Sequence, residues 1–282
     1  MSRVTVVVFA ALIAGAAEAR AQDPPPDTLT GRAGAAAADT TLGQEGIYDR
    51  PFIVETAAAA LGGYVEGNTN WFVEDGVGEG FSMELRRFNL FFFSSVSPRL
   101  RFLSELEFEH GTEEIALETA LVDFRVRPSF VLRAGILLPP LGYFNQNHDS
   151  PRWDFVERPL VATAVIPTTL SEMGIGAYGK IPSGGVMLSW DAYLTNGLGD
   201  GVVGNDEGRT SLAAGKGEGA AAEDNNGTPA ISGRVAVRRP GLGEFGVSYY
   251  GGVYNSFRAE GERVDEPRRV DVVALDLGAT AG

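Results

Sequence analysis

The 282-residue sequence contains no cysteine, which excludes disulfide bonds, thiolate metal sites and cysteine nucleophiles together. It has only two histidines, His110 and His148, too few for a histidine-rich metal site. No G-x-S-x-G or H-E-x-x-H motif occurs. We therefore expect no enzyme activity, no cofactor and no metal.

Basic residues are also in short supply. The chain has 23 Lys and Arg against 37 Asp and Glu, a net charge of −14. Because phosphate recognition needs clustered positive charge, nucleic acid is not expected as a partner. Beyond the N-terminus no run of about 18 apolar residues occurs, so no transmembrane helix is predicted.

The N-terminus has the three parts of a secretory signal peptide. Met1-Ser2-Arg3 is a short positive region, residues 4–17 are apolar, and Ala19-Arg20-Ala21 is an A-x-A cleavage site before Gln22. Residues 1–21 are thus predicted to direct export. Residues 22–57 are predicted to form a flexible segment, on the strength of the Pro, Ala, Thr and Asp that dominate residues 22–45.

From about residue 58 onward, period-2 alternation replaces helical periodicity. The segment 99–109 (RLRFLSELEFE) places mostly apolar residues on one face and mostly charged residues on the other. This is typical of a strand between two different solvents. Ten strands are predicted, at 60–72, 81–96, 99–109, 116–126, 130–138, 172–180, 186–195, 231–238, 245–254 and 270–278.

The connections alternate in length. Short turns contain Pro98, Pro128, Pro182 and Pro240, and longer polar connections are expected at 73–80, 110–115, 139–171, 196–230 and 255–269. Tight turns at one rim and long loops at the other are typical of an outer-membrane β-barrel. The export signal and the absence of a spanning helix agree with this, because a closed barrel satisfies its backbone in lipid.

Aromatic residues near the predicted strand ends could form the interfacial girdles of such a barrel. The alternative is that they are core aromatics of a soluble β-sandwich. These residues are Tyr64, Trp71, Phe72, Phe130, Trp190, Tyr193, Tyr249, Tyr250 and Tyr254.

The segment 130–180 carries a family resemblance. A strand ending in Leu-Arg-Ala-Gly is followed by Pro-Pro-Leu-Gly, then a long polar insertion with Glu157-Arg158-Pro159-Leu160, then a Gly-rich strand. Over residues 58–278 the chain resembles the phosphate-selective porin O and porin P family of bacterial outer-membrane channels. The resemblance implies a 16-strand-type transmembrane antiparallel up-and-down β-barrel, embedded in outer-membrane lipid and assembled as a homotrimer.

The resemblance also implies that segment 139–171 folds inward and constricts the pore. The residues assigned to the constriction are Asn145, Asn147, His148, Asp149, Arg152, Asp154, Glu157 and Arg158. The residues expected to face the lumen from the strands are Arg99, Arg101, Glu105, Glu107 and Arg133.

The sequence departs from the family in two respects. Segment 139–171 has two Arg against three acidic residues, whereas phosphate selectivity in the family depends on basic pore residues. Only about ten strands are visible, and the last residues lack a terminal aromatic. We therefore expect a C-terminally incomplete barrel, with a smaller barrel of ten to twelve strands as the alternative.

Two patterns suggest other chemistry. Glu105, Glu107 and Glu109 could be acid–base carboxylates, but they lie in a row along one strand, which favours a solvated strand face. Residues 174–180 match G-x-G-x-x-G and most of a P-loop, but Ile181 stands where Ser or Thr is required, and a turn follows instead of a helix. We read this stretch as a barrel strand whose small lumen-side residues make room for segment 139–171.

The sequence thus predicts an outer-membrane porin for passive diffusion of small hydrophilic or ionic solutes. The family resemblance adds anions such as phosphate. The alternative is a non-channel outer-membrane or secreted β-rich protein that binds carbohydrate or acts in adhesion.

Overall fold

The computed structural model describes residues 6–7, 59–153, 155–167, 169–216, 221, 223–224 and 226–279. The predicted signal peptide and the segment 22–57 lie outside the described residues, apart from Val6–Val7.

The described chain is almost entirely β-structure. Its strands are β1 (Val6–Val7), β2 (Ala59–Glu74), β3 (Val77–Ser97), β4 (Leu100–Glu109), β5 (Glu114–Arg127), β6 (Phe130–Leu137), β7 (Glu172–Ser183), β8 (Val186–Thr195), β9 (Ala230–Arg239), β10 (Gly243–Val253), β11 (Arg258–Ala259), β12 (Glu262–Arg263) and β13 (Arg269–Ala279). One short helix, α1 (Leu160–Ala164), and 3₁₀ turns at His110–Thr112, Asn145–Asn147, Ser150–Arg152, Asp200–Val202 and Ala214–Lys216 complete the described elements.

Ten long strands form one antiparallel sheet in chain order, from β2 through β10 to β13, with the two-residue β1 on the outer edge of β2. All ten predicted strands are present, so the all-β antiparallel prediction is confirmed. Within the described residues β2 and β13 do not pair with each other. Strands β11 and β12 form a separate small hairpin in the last long connection.

Short turns and long connections alternate as predicted, with one exception. Segment 73–80, expected to be a longer polar connection, is instead a tight hairpin in which Glu74 pairs with Val77 around Asp75-Gly76. Both residues of that turn have positive φ, 51° and 81°, which matches the right-handed twist of the flanking strands. The hairpin projects beyond the sheet, because β3 pairs with β4 only from Arg87 onward.

The sheet is strongly curved, and one segment shows this. Gly142 packs against Ala274 of β13, and seven residues later Asp149 interacts electrostatically with Tyr64 of β2. In a flat sheet the nine intervening spacings would separate β2 from β13 by about 43 Å. The 3₁₀ turn Asn145–Asn147 makes the connecting segment much shorter than its extended limit of about 25 Å. Both edges of the sheet therefore bend toward this segment.

The concave and convex faces differ in chemistry. The convex face carries exposed apolar side chains such as Ile175, 60% exposed, and Leu275, 69% exposed. Tyr64, Tyr193 and Tyr250 are buried on the concave face, so these three do not belong to an outward-facing girdle. In the described part of the chain, none of the helices has the length and apolar character needed to cross a membrane.

Two apolar clusters fill part of the concave side. The first cluster joins strands of the large sheet and consists of Phe93, Leu103, Leu121, Leu137 and Tyr193. The second cluster joins two long connections, the one between β6 and β7 and the one between β8 and β9, to the sheet. It consists of Leu141, Ile166, Leu170, Leu198, Val202, Ala230 and Tyr250. The parts of these two connections that carry the cluster residues are thus packed inside the curve of the sheet.

Candidate functional site

The concave face combines charged residues with the two apolar clusters, because alternation along several strands sends charged residues inward. In β4, Leu103, Glu105 and Glu107 are buried while Phe102 and Leu106 on the other face remain partly exposed. The same alternation in β9 buries Ser232 and Arg234 and exposes Val235. In an antiparallel sheet with one face in water, charged residues normally lie on the solvated face instead.

Arg133 is the centre of a buried polar network. Its Nε and Nη2 donate hydrogen bonds of 2.8 Å each to the two carboxylate oxygens of Asp123 on the neighbouring strand β5. Its Nη1 donates to the hydroxyl of Tyr193 at 3.0 Å, and its guanidinium lies 4.3 Å from the ring centre of Tyr178. Such bidentate, fully hydrogen-bonded pairing is what allows a charge to remain buried.

A second network ties the last strands together. Arg234 of β9 donates to Glu244 of β10 at 2.9 Å and to Asp276 of β13. Near the opposite rim, Glu172 accepts hydrogen bonds from Tyr250, at 2.6 Å, and from Thr195. The sequence reading did not single out Asp123, Glu172, Glu244 or Asp276, although their period-2 placement on inward faces was a usable signal.

We call residues 138–171 the inner loop. Its first part, residues 138–149, is mostly buried against the concave face, whereas Phe155 and Leu160 farther along are exposed. The Gly142 amide donates to Ser248 Oγ of β10 at 2.8 Å, and Gln146 Nε2 donates to the Tyr193 hydroxyl at 3.4 Å. At the far end, Arg86 of β3 donates to both carboxylate oxygens of Glu157, at 3.1 and 2.6 Å. The inner loop therefore spans the inside of the sheet from β10 to β3.

Asn145 closes the inner loop on itself. Its Nδ2 donates to the carbonyls of Pro139 and Leu170 at 2.8 and 2.9 Å, and its Oδ1 accepts the Leu170 amide at 2.8 Å. Asn145 is fully buried. Its amide therefore satisfies the carbonyls of Pro139 and Leu170 and the amide of Leu170 with side-chain hydrogen bonds.

The predicted constriction residues have different environments. Asn145, Asn147, His148 and Asp149 are buried; Arg152 and Arg158 are half-buried; Glu157 is exposed. Asp154 lies outside the described residues. Arg152 donates to Asn147 Oδ1 at 2.9 Å. Burial, reinforced by the neighbouring Arg87, holds the pKa of Arg158 below its usual range.

Four of the five residues expected to face the lumen lie on the concave face: Arg101, Glu105, Glu107 and Arg133. Arg99 is different, because it occupies the exposed turn between β3 and β4. The glycines of β7 also differ from expectation. A Cβ on Gly176 would lie 2.3 Å from Cδ1 of Tyr193. The space beside Gly176 is thus taken by the Tyr193 ring, and not by the inner loop itself.

A carboxylate–imidazole cluster lies where the inner loop meets β4. One ligand-type atom from each of Glu105, Glu107 and His148 falls within 4.8 Å of the others. The Glu row was expected to be solvated, but Glu105 and Glu107 are 0% and 2% exposed because the inner loop covers them. A second such group, Glu109, His110 and Glu114, is largely exposed.

Comparison with known proteins gives a match to part of an uncharacterized protein. The chain is 41% identical over 123 residues to an uncharacterized protein of Aquifex aeolicus (strain VF5), a region covering 41% of this chain and 27% of that protein. The chain therefore spans much less than two thirds of that relative. No family model matches the chain, and no solved structure matches it.

Proposed function

We propose that this chain forms the wall and the inner loop of an outer-membrane β-barrel channel for passive diffusion of small ionic or hydrophilic solutes. The observation that carries this proposal is the inverted chemistry of the sheet. Its convex face exposes an apolar surface, and its concave face holds charged networks and a folded-in loop. Lipid outside and water-like polar groups inside account for both surfaces at once.

The charge inside the curve favours cations over anions such as phosphate. Among the described residues, eight carboxylates are buried but only three arginines. The carboxylates are Glu105, Glu107, Glu118, Asp123, Asp149, Glu172, Asp191 and Glu244, and the arginines are Arg87, Arg133 and Arg234. Those carboxylates that are ionised and not paired with an arginine would attract cations and repel anions along a narrow path.

The close packing of the interior favours a second candidate, a barrel without a conducting pore. Small barrels of about eight strands are filled by their own side chains. Here Gln146, His148 and Tyr193 are each about 2% exposed in the middle of the concave side. In this case the exposed long connections would carry a binding or adhesion function.

Two measurements test these proposals. Migration on gels with and without heating, after detergent extraction of outer membranes, tests the barrel; a mature protein recovered from the periplasm without detergent would refute it. Planar-bilayer recordings under a potassium chloride gradient then test conduction. We expect the reversal potential to shift toward the equilibrium potential of K⁺, as in a cation-selective channel. A reproducible absence of conductance would favour the closed barrel.

A further inference from the structure

We infer that Glu105, Glu107 and His148, with Glu118 beside them, form a divalent-cation site that fastens the inner loop to the wall. The three principal residues come from two parts of the chain: both glutamates from β4 and the histidine from the inner loop. The site therefore exists only because the loop folds onto the concave face. It does not require that the protein conducts solutes.

The separations suit a single ion. His148 Nε2 lies 3.6 Å from Glu105 Oε1, longer than a hydrogen bond. Two ligands each about 2.1 Å from one ion, at a tetrahedral angle, lie about 3.4 Å apart. The Glu107 carboxylate falls within the same 4.8 Å limit, so a small side-chain adjustment brings three donors around one ion.

The orientation of His148 supports ligation. Its Nδ1 lies 3.0 Å from the carbonyl oxygen of Asn145, which fits an Nδ1–H donor and directs Nε2 toward the carboxylates. A histidine that ligates a metal almost always donates its other ring N–H in this way. Asn145 is itself held by three hydrogen bonds within the loop, so the ring position is rigidly defined.

The glutamates are also held by neighbouring groups. Asn89 Nδ2 donates to Glu105 Oε1 at 2.8 Å, and Thr119 Oγ1 lies 3.5 Å from Glu105 Oε2. Arg87 Nε lies 2.8 Å from Glu107 Oε1. Arg87 also contacts Glu66 and Glu109, so its single charge is divided among three carboxylates. Arg158 also interacts electrostatically with Glu107, Glu109 and Glu118.

Glu118 provides independent evidence. The pairing of β4 with β5 skips this residue: Glu105 pairs with Thr119 and Leu106 with Leu117. A β-bulge of this kind re-aims a side chain, and here it turns both Glu118 and Thr119 inward. Glu118 is 7% exposed, its Oε2 accepts no hydrogen bond from the described residues, and it interacts electrostatically with His148, Glu105, Glu109 and Lys216.

The donor set indicates the type of metal. Imidazole favours transition metals such as Zn²⁺, whereas carboxylates alone would suit Mg²⁺ or Ca²⁺. A mixed site with one imidazole and two or three carboxylates fits Zn²⁺ or Mn²⁺. Because the chain has no cysteine and a single other histidine, His110, few residues compete for such an ion.

The test uses the full chain in detergent, freed of metal by a chelator, with Zn²⁺ alone as the probe. Equilibrium dialysis with elemental analysis should find one tightly held Zn²⁺ per chain in the wild type. The matched variants are His148→Gln and His110→Gln, which remove one histidine each. We expect tight binding to be lost in H148Q and kept in H110Q. Loss in H110Q alone would move the site to the exposed Glu109–His110–Glu114 group and overturn the inference, as would a wild type that binds no Zn²⁺.

Two further measurements separate ligation from misfolding. Asn89→Ala keeps every ligand but removes the hydrogen bond that orients Glu105, so Zn²⁺ affinity should fall about 10–100-fold. Added Zn²⁺ should raise the unfolding temperature of the wild type and of H110Q with a dependence on concentration. If H148Q fails to fold, Glu105→Gln takes its place, because it preserves side-chain shape. A Zn²⁺-induced shift of the same size in E105Q as in the wild type would contradict the site.

Discussion

The two faces of this sheet are built from the same strands but follow opposite rules. On the concave face Arg133, 2% exposed, holds Asp123 in a bidentate pair. On the convex face Val235 is 52% exposed, and none of the described elements covers it or its apolar neighbours. In water this arrangement would be unfavourable on both faces. In lipid it is favourable on both, because the polar groups are paired inside and the apolar groups contact hydrocarbon.

The largest effect is expected on the concave face. Arg133→Ala leaves Asp123 as a buried, poorly compensated charge and should lower the free energy of unfolding by about 3–5 kcal/mol. Urea unfolding in lipid vesicles, followed by tryptophan fluorescence, measures this. Arg101→Ala is the matched control, because Arg101 is half-buried and its Nη2 lies 3.8 Å from the same carboxylate. Equal effects of the two changes would contradict the buried network.

Whether the convex face contacts lipid can be tested by comparing lysine substitutions at the middle and at the end of one strand. Val235 lies near the middle of β9 and Ile231 near its end, and the two are similarly exposed, 52% and 56%. If this face contacts lipid, Val235→Lys should cost about 2–4 kcal/mol and Ile231→Lys about 0–1 kcal/mol. If it faces water, both should stay within about 0.5 kcal/mol of the wild type. The same vesicle assay decides between the two outcomes.

The inner loop should become less stable when the hydrogen bonds that Asn145 makes within it are removed. Asn145→Ala removes three hydrogen bonds in a buried place and should cost about 1–3 kcal/mol. Asn205→Ala is the matched control, since Asn205 Nδ2 also donates to backbone carbonyls but in a more open loop. Limited proteolysis of the folded protein should cut the inner loop faster in the Asn145 variant. Unchanged cleavage would show that the loop is held by its wall contacts alone.

The smallest effect is expected where the inner loop leaves the buried region. Glu157 is exposed and pairs with Arg86, so Glu157→Gln should cost about 0.2–1 kcal/mol, an effect that added salt removes. Glu207→Gln serves as control, because Glu207 pairs with Arg209 only two residues away. A cost for E157Q well above this range, or one that salt leaves unchanged, would mean that this end of the loop is as tightly held as its middle.

Most of the sheet could be predicted from the sequence. Alternation of polar and apolar residues and proline-bearing turns located all ten strands, because side-chain period and turn chemistry are local properties. The prediction of a loop at 73–80 was wrong, since Glu74 and Val77 pair across a two-residue turn that the polar composition of the segment concealed. The bulge at Glu118 leaves no mark in the sequence, because it depends on how β4 and β5 pair.

The candidate site could be predicted only in part. The inward direction of Glu105 and Glu107 followed from alternation in β4, but their burial did not, because it requires the inner loop to cover them. The approach of His148 to Glu105 joins residues 43 positions apart and depends on the curvature of the sheet. The role of Gly176 was likewise decided by Tyr193, a residue of the neighbouring strand.

The sequence alone determined which residues form strands, which residues of a strand share a face and where the three longest connections fall, since these depend on neighbours within a few positions. Only the tertiary structure decided which charges pair, what covers the glutamate row of β4, and that histidine and carboxylates meet there. Those contacts come from strand register, curvature and a folded-in loop, and each brings together residues that are far apart in the chain.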